Sequence, residues 1–424
     1  MKLSPGSPDL WLVAVIGFGS VVAQAQQVPL GADVPGLLAI AMERNPEYAS
    51  MRYEAQAAAE RVTPAGALPD PKFRTELMDI TKMGEQNPTI FPSNVGSTRY
   101  TFMQDLPWFG KRGLKRDIAQ LEADGSQSKA TVSWSELVAR IKTTQAQRYY
   151  LQGNEKLTRE ILDLMAQLEK IAQVRYASGL AAQQDVIRAQ FEQTTMQHDL
   201  VALQSERTQA DARLNALLAR PTSAALAAAE KLRALPQPGQ LDAATLEQRV
   251  RSRNPQLFTE EARIRAAEKG RDLTYKNRYP DFTLSISPTQ TQSAIKEWGL
   301  MLEVNIPLQQ SSRRAQEREA EAMLAAAQSR KEAVANQLLS DLAENLTAME
   351  AAQHSDMLMT SSLLPQAELT FNSALAGYEN GKVDFATLLD AQRQIRMARQ
   401  TQIKAQFEAQ MRFAEIEKLI GEDL

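Results

Sequence analysis

Two hydrophobic periods alternate along this chain. The first is the heptad: Leu157, Ile161, Leu164, Leu168 and Ile171 step by 4, 3, 4 and 3 residues, an apolar seam down one side of a helix. Residues 113–176 are 64 positions without a proline. At ~1.5 Å per residue they predict a rod of about 96 Å. A second rod is predicted over residues 313–377, with a kink at Pro365. No ordinary globular core needs helices of that length.

The second period is two. In KEWGLMLEVNIP, Trp298, Leu300, Leu302, Val304 and Ile306 alternate with Glu297, Gly299, Met301, Glu303 and Asn305. In DFTLSIS, Phe282, Leu284 and Ile286 alternate with Thr283, Ser285 and Ser287. Earlier, Phe73, Thr75 and Leu77 face Lys72, Arg74 and Glu76, and Tyr100 and Phe102 face Arg99 and Thr101. Any one segment fits a soluble sheet. Four of them in two hairpins fit the apolar-out, polar-in strands of a transmembrane β-barrel. The apolar set (Phe73, Leu77, Tyr100, Phe102, Phe282, Leu284, Ile286, Trp298, Leu300, Leu302 and Val304) is expected to face lipid. Four strands cannot close a barrel, and open edges are forbidden in lipid, so strands from several chains must be pooled in an oligomer.

The order of these elements recurs. MERNPEY at residues 42–48 resembles RSRNPQL at 251–257, with Arg-Asn-Pro repeated 209 residues apart. Each is followed by an Ala- and Glu-rich helical stretch, then a Pro-Asp pair (Pro69-Asp70, Pro280-Asp281) and two strand-like segments. Those end at QDLPWFGKRG (104–113) and EVNIPLQQSS (303–312). A long helix then leads to a glycine turn, RYASGLAAQQDVIRAQ (175–190) or GYENGKVDFATLLDAQ (377–392). At an offset of 202, Tyr176, Gly179, Ala189 and Gln190 match Tyr378, Gly381, Ala391 and Gln392. PQPGQ (236–240) is the natural connector. We read residues 1–25 as a signal peptide, 26–236 as a first repeat and 237–424 as a second. The signal is Lys2, a 13-residue apolar run at 11–23 and the small-x-small site Ala23-Gln24-Ala25. That run is too short to span a bilayer comfortably. A membrane anchor is the alternative.

Composition narrows the chemistry. With 48 Lys+Arg against 51 Asp+Glu the net charge is −3, and nothing marks a nucleic-acid surface. The absence of cysteine excludes disulfides, thiolate metal sites and a lipidated cysteine. His198 and His354 are the chain's two histidines, too few for a histidine-built metal site. Met357 and Met359 near His354 are two residues apart and do not share a helix face, so they read as packing. No catalytic triad, phosphate loop or acid–base carboxylate pair stands out, and no cofactor or metal is expected. The chain reads as a non-enzyme.

The two Asn-Pro helix starts, the paired hairpins and the two glycine-turn segments resemble the TolC-type outer membrane factor family over essentially the whole mature length. The resemblance implies a mainly α fold of duplicated coiled-coil hairpins forming a periplasmic tunnel. Four strands per chain would complete a 12-stranded barrel in a homotrimer. It implies an outer-membrane exit duct that docks a periplasmic adaptor and an inner-membrane RND pump. QDLPWFGKRGLKRD is similar to the PW-x-GK-R segment of the heavy-metal branch, the Czc, Cus and Sil type. Cargo would then be Cu/Ag or Zn/Co/Cd cations, with organic drugs the alternative. The missing cysteine departs from lipidated members.

Several residues carry the candidate functions. Asp390 matches the family's acidic ring, which draws cations to a constriction; Asp384 and Asp185 are further candidates. Thr387 stands where the family often carries a second acid. A solvated helix face is the plain alternative. Gly179 and Gly381 should supply positive-φ turns. Leu180 and Lys382 at the tips are candidate adaptor contacts. Tyr176 and Tyr378 either hydrogen-bond across neighbouring hairpins or simply pack. Lys111, Arg112, Lys115 and Arg116, with Arg313 and Arg314 in the second half, lie just below the strands and either reach lipid headgroups or form a solvated basic face. A periplasmic adaptor is the first rival, but its single hairpin conflicts with the duplication. A coiled-coil scaffold is the second.

Overall fold

The computed structural model describes residues 30–237 and 241–424. The signal-peptide reading and part of the PQPGQ connector lie outside the described residues. The first half runs α1 (Val34–Arg44), α2 (Pro46–Glu60), α3 (Val62–Gly66), β1 (Lys72–Met78), β2 (Ser97–Leu106), α4 (Lys111–Ala177) and α5 (Gln183–Leu217). The second runs α6 (Ala243–Arg253), α7 (Pro255–Lys276), β3 (Asp281–Thr291), β4 (Ala294–Asn305), α8 (Gln310–Leu358), α9 (Leu364–Glu379) and α10 (Phe385–Ile420).

The Asn-Pro pairs explain themselves here. Asn45 caps α2 by accepting from the Tyr48 amide at 2.9 Å, and its Nδ2 donates to the Leu217 carbonyl at the end of α5 (2.8 Å). Asn254 caps α7 from the Gln256 and Leu257 amides (2.8 and 3.2 Å) and donates to the Leu419 carbonyl of α10 at 2.7 Å. In each case one buried amide satisfies an orphan donor at a helix start and an orphan acceptor at a helix end. Proline at N1 costs nothing, because that amide has no partner anyway.

Helix α4 is a single rod of 67 residues, about 100 Å long. Its heptad seam works as predicted: Leu157, Ile161 and Leu168 are buried in one cluster with Met196 of α5, Phe371 of α9, and Phe385, Leu388 and Leu389 of α10. The two hairpins therefore share a core. The kink expected at Pro365 takes another form. Residues Met359–Leu363 are a π-helical segment between α8 and α9, and the helix runs on to Glu379. Widening the ladder by one residue accommodates a ring that cannot donate a backbone hydrogen bond, so the rod is not broken.

The four strands form one antiparallel sheet in the order β1-β2-β3-β4. Its register puts the whole apolar set on one face. Phe73 pairs with Phe102, Phe102 with Ile286, and Ile286 with Leu300; Leu284 pairs with Leu302, and Phe282 with Val304. Leu77, Tyr100 and Trp298 fall on the same side by the two-residue pleat. The other face is a polar ladder, with Thr101 bonded to Ser287 at 3.1 Å, Thr283 to Asp105 at 2.8 Å and Lys72 to Asp105 at 2.8 Å. Among the described residues, neither the outer edge of β1 nor that of β4 has a partner strand. No helix of the described residues is long and apolar enough to cross a membrane.

The basic residues below the sheet need correction. Lys111 is 5% exposed and neither lipid-facing nor solvated. It pairs with Asp281 at 2.8 Å and donates to the Tyr279 carbonyl at 3.2 Å. Asp281 also accepts from the Trp108 amide (2.7 Å), so the start of α4 is bolted to the start of β3. Arg112 donates to the Gly66 carbonyl (3.0 Å) and Arg313 to that of Asn277 (2.5 Å). Only Lys115, Arg116 and Arg314 remain exposed. The counterpart aspartate Asp70 is exposed, so the two Pro-Asp pairs match in sequence but not in contacts.

Candidate functional site

At the end of the rods far from the sheet, two glycine turns sit side by side. Gly179 and Gly381 have φ of 73° and 71°, left-handed positions that glycine adopts without a Cβ clash. The first turn closes through the Leu180 amide to the Arg175 carbonyl (2.8 Å), the second through the Lys382 amide to the Gly377 carbonyl (2.8 Å). Leu180, Lys382 and Tyr176 are exposed.

The two tyrosines are not equivalent. Tyr378 is buried against Phe385 (ring centroids 5.3 Å apart), while Tyr176 stands 47% exposed. The Tyr378 hydroxyl donates to Asp185 on the neighbouring hairpin at 3.4 Å. Burial, then the Asp185 carboxylate, push the phenol up to about 12. Arg175 completes the contact. Its guanidinium lies 4.9 Å over the Tyr378 ring and donates to the Glu379 carbonyl (2.6 Å) and to that of Leu180 (3.2 Å). One arginine thus touches both turns. The sequence did carry a signal for it, because the 202-residue offset sets Arg175 against Gly377, a difference between otherwise matched tips.

The three candidate carboxylates occupy three environments. Asp185 belongs to this tyrosine contact. Asp384 is the N-cap of α10, accepting from the Thr387 amide (2.9 Å) and hydroxyl (2.6 Å), and the hydroxyl bond foremost holds its carboxyl below the usual range. Its lone pairs are committed to the helix end, which weakens it as a pore acid. Thr387, where a second acid was expected to be missing, is the cap's partner. Asp390 stays exposed, 3.6 Å from Arg393, which also pairs with Glu192 of α5. Asp390 lines an open groove of about 570 Å³ between α5 and α10, alongside Ile187 and Phe191. Those two apolar residues, 57% and 70% exposed, escaped the sequence reading because α5 shows little apolar periodicity.

A second polar cluster lies higher on the rods. Arg148 of α4 is 1% exposed. It donates to Asp211 (2.6 Å), Gln145 (2.8 Å) and the carbonyls of Gly31 (3.2 Å) and Ala227 (2.7 Å). One turn and a half away, Lys142 reaches Glu417 (2.8 Å) and Asp423 (2.5 Å), and Arg233 meets the same Glu417 at 2.9 Å. These groups strap residues 221–237 across α4 and α10.

Comparison with known proteins accords with this architecture. The model of the family described as outer membrane efflux protein matches residues 37–220 and 246–422. The cobalt-zinc-cadmium resistance protein CzcC of Cupriavidus metallidurans is 24% identical over 342 residues, 79% of this chain and 77% of that protein. Among solved structures, the CusC channel superposes with a TM-score of 0.79 at 16% identity, covering 92% of both chains. The outer membrane protein VceC of Vibrio cholerae gives 0.78 at 16% identity, covering 92% of this chain and 96% of that one. The chain belongs to the outer membrane efflux protein family, and is an outer-membrane efflux channel rather than an enzyme.

Proposed function

We propose that three copies of this chain form the exit duct of a tripartite heavy-metal efflux pump. The observation that carries the assembly is the sheet, with one mainly apolar face and, among the described residues, two unpaired edges. Edges in lipid leave backbone groups unsatisfied, so four strands from each of three chains close a 12-stranded barrel. The apolar set from Phe73 to Val304 then faces outer-membrane lipid. The rods form a tunnel toward a periplasmic adaptor and an inner-membrane RND pump. The exposed tip residues Tyr176, Leu180 and Lys382, around the turns at Gly179 and Gly381, are the adaptor contact. The two halves, 26–236 and 237–424, derive from one duplicated unit. The assembly test is hydrodynamic: a water-soluble, monodisperse monomer of mature chain rules the barrel out.

The metal branch rests on the likeness to CzcC, a cobalt-zinc-cadmium resistance protein, and on the PWFGKRG junction. Deleting the gene should raise sensitivity to Zn, Co, Cd, Cu or Ag ions. Greater sensitivity to organic drugs and dyes alone would make this a multidrug channel and leave the duct intact.

Asp390 supplies the ring at the tunnel mouth. It lies nine residues beyond Gly381 and five beyond Phe385, where α10 begins, about 8 Å along the helix. Three converging carboxylates attract cations. Asp390→Ala should weaken divalent-cation block of conductance in planar bilayers several-fold, with trimer assembly unchanged. Unaltered block would move the ring elsewhere, with Asp185 next in line.

A further inference from the structure

We infer that the groove just below the sheet, between the start of α4 and the end of α7, binds a phospholipid with a primary-amine headgroup. The groove holds about 610 Å³, and Gly110 and Gly113 in its lining project no side chain into it. It continues the apolar face of the sheet. Tyr279 on its wall stacks on Trp108 at 5.1 Å and 8°, and Trp108 packs 5.7 Å from Phe282 of β3. Beside them Phe109 is 81% exposed. The inference rests on the reading that this face meets lipid.

Away from the sheet, the chemistry changes in a fixed order. First come the exposed rings. Next comes Lys276, whose Nζ sits 5.8 Å from the Tyr279 ring centre and has no carboxylate partner among the described residues. One turn farther along α7 is Asp272, held by its neighbour Arg271 at 2.9 Å. Asp117 of α4 lies at the same end, held only by long contacts to Lys269 (3.6 Å) and Arg116 (3.7 Å). Apolar, cationic, then anionic is the complement of acyl chain, phosphate and ammonium. The spacing also fits: four residues of helix rise about 6 Å, the scale of an ethanolamine bridge. A simple anion site would not place two carboxylates there. A primary ammonium donates hydrogen bonds to them, and a quaternary one cannot.

The test is native mass spectrometry of the full protein in detergent, titrated with phosphatidylethanolamine or phosphatidylcholine. The wild type should retain the ethanolamine lipid roughly tenfold better, the scale of one charge-assisted hydrogen bond. The double variant Asp117→Asn, Asp272→Asn should erase that preference. Lys276→Ala should weaken both lipids about tenfold, and Lys276→Arg should not. Equal retention of the two lipids by wild type, or an indifferent Lys276→Ala, overturns the site while leaving the membrane face intact. Equal binding of tail-less glycerophosphoethanolamine overturns the lipid as occupant. A protein retaining no lipid of any kind overturns the lipid-facing reading itself.

Discussion

Arg175→Ala should open the tunnel mouth. The guanidinium makes two hydrogen bonds to turn carbonyls and a cation–π contact with Tyr378, and all three bridge or brace the neighbouring tips. Each is worth about 1 kcal/mol net in a partly exposed setting. In the proposed trimer the loss is tripled, and several kcal/mol is enough to turn a closed majority into an open one. Single-channel conductance in planar bilayers should rise several-fold. Tyr378→Phe, which removes only the 3.4 Å bond to Asp185 and keeps the ring, should give a smaller rise. If Arg175→Ala conducts as the wild type does, the tips are not the gate. The same contact predicts a pH response. The Tyr378 phenol is raised to about 12 in the fold, against about 10 unfolded. A raised pKa contributes stability that is complete below the unfolded value and is lost as pH rises through the folded one. The tip contact should therefore hold up to about pH 10 and loosen toward pH 12. Tyr378→Phe should lack that alkaline transition.

Arg148→Ala should be among the most destabilising single changes in the chain. The side chain is fully buried and makes four hydrogen bonds, one of them to Asp211. Removing one member of a buried pair costs about 3–5 kcal/mol. Asp211 is 32% exposed, so solvent recovers part of that, and the lower end is expected. The orphaned Ala227 carbonyl adds to the loss. Since Arg148 fastens residues 221–237, the first sign should be trypsin cleavage at Lys231 or Arg233 under conditions where the wild type is intact, with a lower Tm in detergent. Arg148→Lys should rescue little, because an ammonium cannot span a carboxylate and two separate carbonyls as the planar fork does. An Arg148→Ala protein with unchanged cleavage and Tm would show that the strap is held elsewhere.

What the sequence disclosed depended on range. The seam through Leu157 and Leu168 and the alternation through Leu284 and Leu302 are set by residues two to seven positions apart, and a reader of the chain can count them. Position alone cannot reveal a distant partner. Lys111 looked like a cation at an unfavourable helix start, and its burial follows from Asp281, 170 residues away. Asp384 looked like a pore acid, yet a serviceable cap sequence, Asp-x-x-Thr, was visible there and outweighs the analogy. Tyr176 and Tyr378 matched by offset but parted in burial, since only one tip has an arginine to lay over the ring. Pro365 announced a disturbance without saying whether the helix would bend or widen.

The seam where β2 meets β3 has a consequence for the order of events in folding. Thr98 pairs with Gln290, so the sheet is stitched from the two halves of the chain. Closing a loop that long costs about 2 kcal/mol more than closing the short connection between β1 and β2. Helical hairpins need no such closure and form early. The rods must come together first, and their packing then delivers β2 to β3. Until β3 and β4 have joined β2 the apolar face of the sheet is incomplete, so the strands acquire their full greasy surface only after the rods have packed.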